Sequence, residues 1–269
     1  MLDGGLRRVT VPVYVINLER DRARRSFMEG TLGSMGVEAE FVPGVDGQKL
    51  TDDELAMYDR DRCRRVYGSD MRPGEIGCYL GHYRLYERLL REGVKLALIL
   101  EDDVHIDPAL PAIMSEIENM PLRDWSIIHL RSGRGKVYSG EGTAFHGRVL
   151  AKLGTGHTVQ LLRTHILSGG AYFINQDGLR RMVEFGRRIF MPIDHTMDRF
   201  WENGILPIVV RPLPVGHNNQ FSSSIGNHGW DHETPFSWLD RTRHRWRRSY
   251  DSLPKRWFWV WRWLTGKPI

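Results

Sequence analysis

Three consecutive carboxylates, Glu101-Asp102-Asp103, follow directly on the apolar run Leu96-Ala97-Leu98-Ile99-Leu100. Such a run reads as a buried strand, so the acids stand where it ends. Adjacent carboxylates repel one another and cannot be buried without compensation. The carboxyl edge of an α/β sheet is also where ligands bind. A hard cation such as Mg²⁺ or Mn²⁺ would offset the repulsion, and it could bridge a diphosphate and stabilise it as a leaving group. Glu101 and Asp103 share a face if the strand continues, and Asp102 joins them only if the chain turns. The same residues also read as a solvated acidic turn ahead of a helix opened by Pro108.

Other residues of the right chemistry stand elsewhere. Asn17 ends the β-branched segment 9–18, and Arg20 and Arg24 follow one helical turn apart, able to contact a phosphate together. A solvated helix face with Glu19 and Asp21 as charge partners is the plainer reading. Gly74-Glu75-Ile76-Gly77-Cys78 opens a helix with two glycines, which permits close backbone approach. His82 lies one turn on and reads by itself as a satisfied core histidine. Cys78 reads as a small buried hydrophobe and not as a nucleophile. With Cys63 as the only other cysteine, a disulfide scaffold and a four-cysteine zinc site are excluded.

The elements that must position these groups alternate between strand and helix. Strands are expected at 9–18, 37–42, 96–100, 125–130, 161–166, 171–174 and 205–210. Helices are expected at 20–35, 74–91, 108–120, 176–188 and 195–202, with a short one opened by the capping box Thr51-Asp52-Asp53-Glu54. Residues 132–157 read as one long Gly-, Ser- and base-rich excursion. The pattern defines an α/β class with a largely parallel sheet.

Composition bounds the rest. The 269 residues are 41% hydrophobic, 26% charged and 10% aromatic, a globular balance that excludes disordered, collagen-like and coiled-coil chains. No apolar run reaches the roughly 20 residues of a membrane-spanning helix. The N-terminus shows no secretory signal pattern, so a cytoplasmic location is expected. The net charge of +5 is unevenly placed. Residues 241–269 hold nine Lys/Arg against Asp251 alone, leaving the first 240 residues slightly acidic. The same tail carries Trp246, Trp257, Trp259, Trp261 and Trp263, with Pro254 expected to separate an Arg-rich helix from the Trp-rich segment. Indoles and cations together suit an anionic membrane surface. Packing on the body or on a partner is the alternative, and an acidic body argues against nucleic acid. The expected division is a domain at 1–235 and a basic, Trp-rich tail at 236–269.

Taken in order, several segments resemble glycosyltransferase family 25, which includes lipopolysaccharide and lipooligosaccharide galactosyl- and glucosyltransferases and the collagen galactosyltransferases. They are VYVINLERDRARR at 13–25, FVPGVDG at 41–47, GEIGCYLGHYRLYERLL at 74–90 and LALILEDDV at 96–104. GGAYFINQDGLRRM at 169–182, PIDHTMDRFW at 192–201 and RPLPVGHNNQFSSSIG at 211–226 complete the series. Gly81 stands where the family often has Ser before the helix His. The resemblance implies a GT-A-like nucleotide-sugar fold, a UDP-sugar donor, transfer with inversion, and a glycolipid or other glycan acceptor. It makes Glu101, Asp102 and Asp103 the metal and nucleotide motif. It places Asn17, Arg20, Arg24, Asp46 and Gly47 beside the nucleotide, and Glu75 and His82 along the donor–acceptor cleft.

An inverting transfer needs a general base for the acceptor hydroxyl. Asp194, after Pro192-Ile193 and ahead of a helix, is the first candidate, although Asp there also reads as an N-cap. His217 is a candidate third metal ligand beside Mn²⁺ or Mg²⁺, and Gln220 and Ser224 could meet phosphate or sugar hydroxyls. The resulting expectation is a metal-dependent hexosyltransferase, galactose being favoured, peripheral at the inner membrane surface. A metal-dependent phosphohydrolase or nucleotidyltransferase and a non-catalytic membrane adaptor are the competing classes.

Overall fold

The computed structural model describes residues 11–133, 147–218, 220–221 and 252–266. Ser224 and Trp246 lie outside them. In chain order the first half comprises β1 (Val13–Asn17), α1 (Arg22–Ser34), β2 (Ala39–Pro43), a 3₁₀ turn (Gly47–Lys49), α2 (Asp52–Ala56), α3 (Arg60–Val66), α4 (Pro73–Arg91), β3 (Leu96–Glu101), β4 (Val104–Ile106) and α5 (Leu110–Glu118). The second half comprises β5 (Ile127–His129), β6 (Arg148–Lys152), β7 (Thr158–Leu161), β8 (Ala171–Asn175), α6 (Gln176–Phe185), α7 (Ile193–Met197), α8 (Phe200–Asn203), β9 (Ile208–Arg211) and β10 (Val215–His217). Residues 252–264 form a last helix, α9.

Eight strands make one sheet in the order β2-β1-β3-β8-β5-β9-β7-β6, and β10 pairs with β4 in a separate ribbon. β2, β1 and β3 pair in parallel, as do β5 and β9, whereas β8 and β7 run against their neighbours. The α/β class with a mostly parallel sheet therefore holds, with β8 reversed at its centre.

Alternation along the strands explains the layering. Ala97 and Ile99 of β3 and Tyr172 and Ile174 of β8 pack in one core with α4 and α6. Leu98, Leu100, Ala171 and Phe173 point the other way, into a core with α1 and α5. Both faces are covered, so the central strands read as unbroken apolar runs.

Several boundaries differ from the expected ones. The 132–157 excursion contains β6, an edge strand whose run Val149-Leu150-Ala151 is short, does not alternate and has no buried residue. The single helix expected over 195–202 is split into α7 and α8. Between them, buried Asp198 turns its carboxylate to the amides of Ile166 and Leu167. Pro254 lies in the first turn of α9, where a missing N–H costs nothing, and does not divide two helices within the described residues.

Helix α4 approaches the chain after β2 unusually closely. A Cβ added at Gly77 would lie 2.4 Å from the Val45 carbonyl oxygen and 2.8 Å from the Gly47 amide nitrogen. At Gly81, one turn on, the closest atom would be 3.5 Å away, an ordinary contact. Gly77→Ala is therefore expected to lower stability by about 1–3 kcal/mol, or several degrees of thermal midpoint, by forcing backbone apart. Gly81→Ala should leave the midpoint nearly unchanged. Equal midpoints for the two variants in a melting experiment would refute this account of the α4 packing.

Candidate functional site

β1, β3 and β5 point the same way, so their carboxyl ends share one sheet edge, and reversed β8 begins at that edge. The edge collects Asn17 from β1, Glu101 from β3, Arg131 just past β5, and Gly169-Gly170 just before β8. A cleft of about 100 Å³ opens there. Arg20, Arg24, Asp46, Gly47, His82 and all three acids of the triplet line it.

Strand parity sorts the triplet. Glu101 is the last strand residue and shares the α4 face of Ala97 and Ile99. The chain turns at 102–103, leaving Asp102 on the α1 side. There Asn17 Nδ2 donates to Asp102 Oδ2 at 2.6 Å and Arg24 Nη1 to Asp102 Oδ1 at 2.8 Å. Arg24 also lies 3.5 Å from Asp103 Oδ2. Burial pushes the Asp102 carboxyl up, and the Asn17 and Arg24 contacts oppose it. Burial also raises Asp103, with the charge of Glu101 adding to the rise. The bare acidic turn in solvent is thus excluded: Asp102 is 6% exposed and held by a buried guanidinium.

Glu101 looks onto α4. Its Oε1 lies 3.5 Å from His82 Nε2 and accepts from the Cys78 thiol at 3.6 Å. Burial would raise this carboxyl, but His82 and Arg131 outweigh it and the net shift is downward. Its backbone amide donates to the Gly170 carbonyl at 2.8 Å. A Cβ at Gly170 would sit 2.9 Å from Arg131 Nη1 and 3.1 Å from Glu101 Oε2, so glycine makes the room for both charges. His82 is fully buried, with Nδ1 paired to the Tyr172 hydroxyl at 2.7 Å and Tyr172 in turn paired to Tyr86.

The remaining expected residues fall into different places. Asp46 caps the 3₁₀ turn through the Gln48 amide and pairs with Arg20, whose contact, followed by that amide, holds its carboxyl low. Glu75 accepts from the Arg72 amide at 2.8 Å at the start of α4 and does not line the cleft. Asp194 is not the N-cap of α7, a position held by Pro192; it lies in the first turn, half buried. Helix α7 packs against α4, and Asp194 is not among the residues that line the cleft.

His217 is exposed on β10, opposite Val104 in the ribbon. Among the described residues, the group of three or more His, Cys, Asp and Glu side chains whose ligand atoms gather closely enough to hold an ion is Cys78, His82 and Glu101; of the expected metal set it contains Glu101 alone, without Asp102, Asp103 or His217. Gln220 is exposed, its amide bonded to Asn218 Oδ1. Next to it, the Phe221 ring lies 5.7 Å from the Arg24 guanidinium.

Three participants escaped the sequence reading. Arg131 could have been found by the sheet-edge rule that singled out Glu101, since it closely follows an apolar strand. Cys78 packs against the core as a small hydrophobe, as expected, but also lines the cleft, which its type did not announce. Tyr172 sits 90 residues from His82 and no local signal marks it.

With this geometry in place, the relatives can be weighed. The model of glycosyltransferase family 25 (LPS biosynthesis protein) matches residues 10–197, and the chain belongs to that family. A "Glycosyltransferase 25 family member" from Aedes aegypti is 32% identical over 44% of this chain and 20% of its own length. "Procollagen galactosyltransferase 1" from Danio rerio is 24% identical over 90% of this chain and 43% of its own. "Probable inactive glycosyltransferase 25 family member 3" from Rattus norvegicus is 27% identical over 85% and 41%. The chain thus spans less than half the length of these curated relatives.

Behind the cleft, His129 is 2% exposed and donates from Nδ1 to the Ser168 carbonyl. Burial lowers its pKa to about 4. The unfolded chain takes up this proton near pH 6.5, the folded one only near 4, so folding is penalised as pH falls through that window. Denaturant titrations are expected to show about 3 kcal/mol of stability lost between pH 6.5 and 4 on this account. His129→Gln should flatten that part of the profile, and an unchanged slope would contradict it.

Proposed function

We propose that this chain transfers a hexose, galactose by preference, from a UDP-sugar to a glycan acceptor of the lipopolysaccharide or lipooligosaccharide kind, with inversion at the anomeric carbon. The observation that carries the reading is the cleft at the carboxyl edge of the sheet lined by Arg24 and the Glu101–Asp103 triplet, with Asn17 bonded to Asp102. Family membership supports glycosyl transfer, and a relative named for galactose transfer supports the sugar. The competing phosphohydrolase or nucleotidyltransferase reading has no comparable support.

In this scheme Asp102 is a positioning residue, its two oxygens committed to Asn17 and Arg24. Arg24 and Arg131 set positive charge on either side of the acids, suited to a diphosphate. Arg20, half exposed beside Asp46, extends that basic rim. A divalent cation could be held by Asp103 and Glu101, hard oxygen ligands that both line the cleft. When bound there, Mn²⁺ or Mg²⁺ would neutralise the departing UDP. Asp194, in the first turn of α7, takes the acceptor proton.

The test is UDP release from a panel of UDP-sugars with extracted lipooligosaccharide, with and without Mn²⁺. Asp103→Asn is expected to cut turnover at least about a hundredfold. Asp194→Asn should lose turnover while keeping UDP affinity. Wild-type rates in the first variant, or lost UDP affinity with normal saturated turnover in the second, would overturn these roles.

The tail is assigned to an anionic membrane surface. α9 packs on the body through Phe258 and Trp259, whose rings lie 5.1 and 5.2 Å from that of Phe200. Its other side presents Leu253, Trp257, Val260, Trp261 and Leu264 to solvent, spaced as one helical face, with Trp263 exposed off that face so that the helix is not cleanly one-sided. No helix among the described residues is long and apolar enough to cross a membrane, so the tail would lie on the surface. Replacing Trp257 and Trp261 together by Ala should weaken sedimentation with anionic vesicles without lowering the thermal midpoint. Trp259→Ala should do the reverse, and vesicle binding untouched by the double change would remove the assignment.

A further inference from the structure

The same α4 wall carries a donor set of which the sugar-transfer scheme uses Glu101 alone. Cys78 and His82 stand four residues apart on α4, and Glu101 faces them from the end of β3. One ligand atom from each lies within 4.8 Å of the other two. The separations from Glu101 Oε1 are 3.5 Å to His82 Nε2 and 3.6 Å to Cys78 Sγ. An ion holding N, O and S ligands tetrahedrally at roughly 2.0–2.3 Å sets them about 3.3–3.8 Å apart. These two edges therefore already match a zinc-sized polyhedron.

A second observation points the same way. His82 Nε2 is buried, and its one neighbouring acceptor, Glu101 Oε1 at 3.5 Å, stands too far for a well-formed hydrogen bond, an expensive state for a ring nitrogen. The opposite nitrogen, Nδ1, is fixed by the Tyr172 hydroxyl, itself paired with Tyr86. Metal-bound histidines have just this outer support, which orients the ring and sets its tautomer. All three ligands line the cleft, so a fourth coordination position opens toward it.

We propose that Cys78, His82 and Glu101 form a site for a soft divalent cation, Zn²⁺ being the ion that fits, distinct in chemistry from a hard-cation site at Glu101 and Asp103. A thiol and an imidazole select against Mg²⁺. Binding displaces the Cys78 thiol proton to solvent and forms a metal–thiolate bond. Because Glu101 belongs to both donor sets, the soft ion competes with the hard one for it. The site does not rest on the sugar-transfer reading, and its test contains no nucleotide sugar.

The untagged full chain is titrated with Co²⁺, a spectroscopic stand-in for zinc. The expected result is one ion per chain with intense thiolate-to-cobalt near-ultraviolet absorption, abolished by excess Zn²⁺ and untouched by equal Mg²⁺. The band should vanish in Cys78→Ser and persist in Cys63→Ser. A second measurement needs no variant: Zn²⁺, but not Mg²⁺, should slow alkylation of Cys78, followed by mass spectrometry of the native protein. A wild-type cobalt complex without the charge-transfer band, a band surviving Cys78→Ser, or Cys78 alkylation indifferent to Zn²⁺ would each overturn the assignment.

Discussion

The buried guanidinium of Arg24 is what allows an acidic triplet to stand at the end of β3. It donates to Asp102, lies within 3.5 Å of Asp103, and is itself only 8% exposed. Removing one partner of such a pair leaves an unpaired charge in the interior, typically a loss of about 3–5 kcal/mol. The pair also couples elements: Arg24 shares the buried stripe of α1 with Met28 and Leu32, so the position of that helix and the turn after β3 are set together. Asn17 adds the end of β1 to the same node.

On the other side of the sheet, small residues have the corresponding role. Gly77 lets α4 settle against the chain after β2, and Gly170 lets Glu101 and Arg131 share one corner. Charge on one face and absence of side chain on the other thus define a single cleft. Its two walls differ in kind: oxygens and guanidinium toward α1, thiol and imidazole toward α4. Reversed β8 joins them, since its first residues back Glu101 while Tyr172, on its α4 face, braces His82.

Much of this was legible beforehand, and the reasons are physical. Five apolar residues ending abruptly in three acids announce a buried strand and a sheet-edge site. Arg24 was legible because its spacing from Asn17 and Arg20 is local. Parity along β3 sets Asp102 apart from Glu101, but the expectation that a turn would bring Asp102 to its neighbours is not met, since the chain turns and Asp102 stays with Asn17 and Arg24. What stayed hidden depends on contacts distant in sequence: Tyr172 against His82, Gly170 against Arg131, Asp198 against the amides of 166–167. The three-residue strands β4 and β10 are too short to show a period, and α3, DRDRCRRV with its start, carries too few apolar residues to reveal a face. His217 and Glu75 show the converse: plausible chemistry by type, placed by the fold at an exposed ribbon and a helix start.

The manner in which α9 is attached has a practical corollary. Phe258 and Trp259 seal the ring of Phe200, while Lys255 lies over that of Trp201 at 4.3 Å. Trimming the chain ahead of Ser252 to spare a crystallographer the sticky indoles would bare this aromatic seat, exchanging one adhesive surface for another.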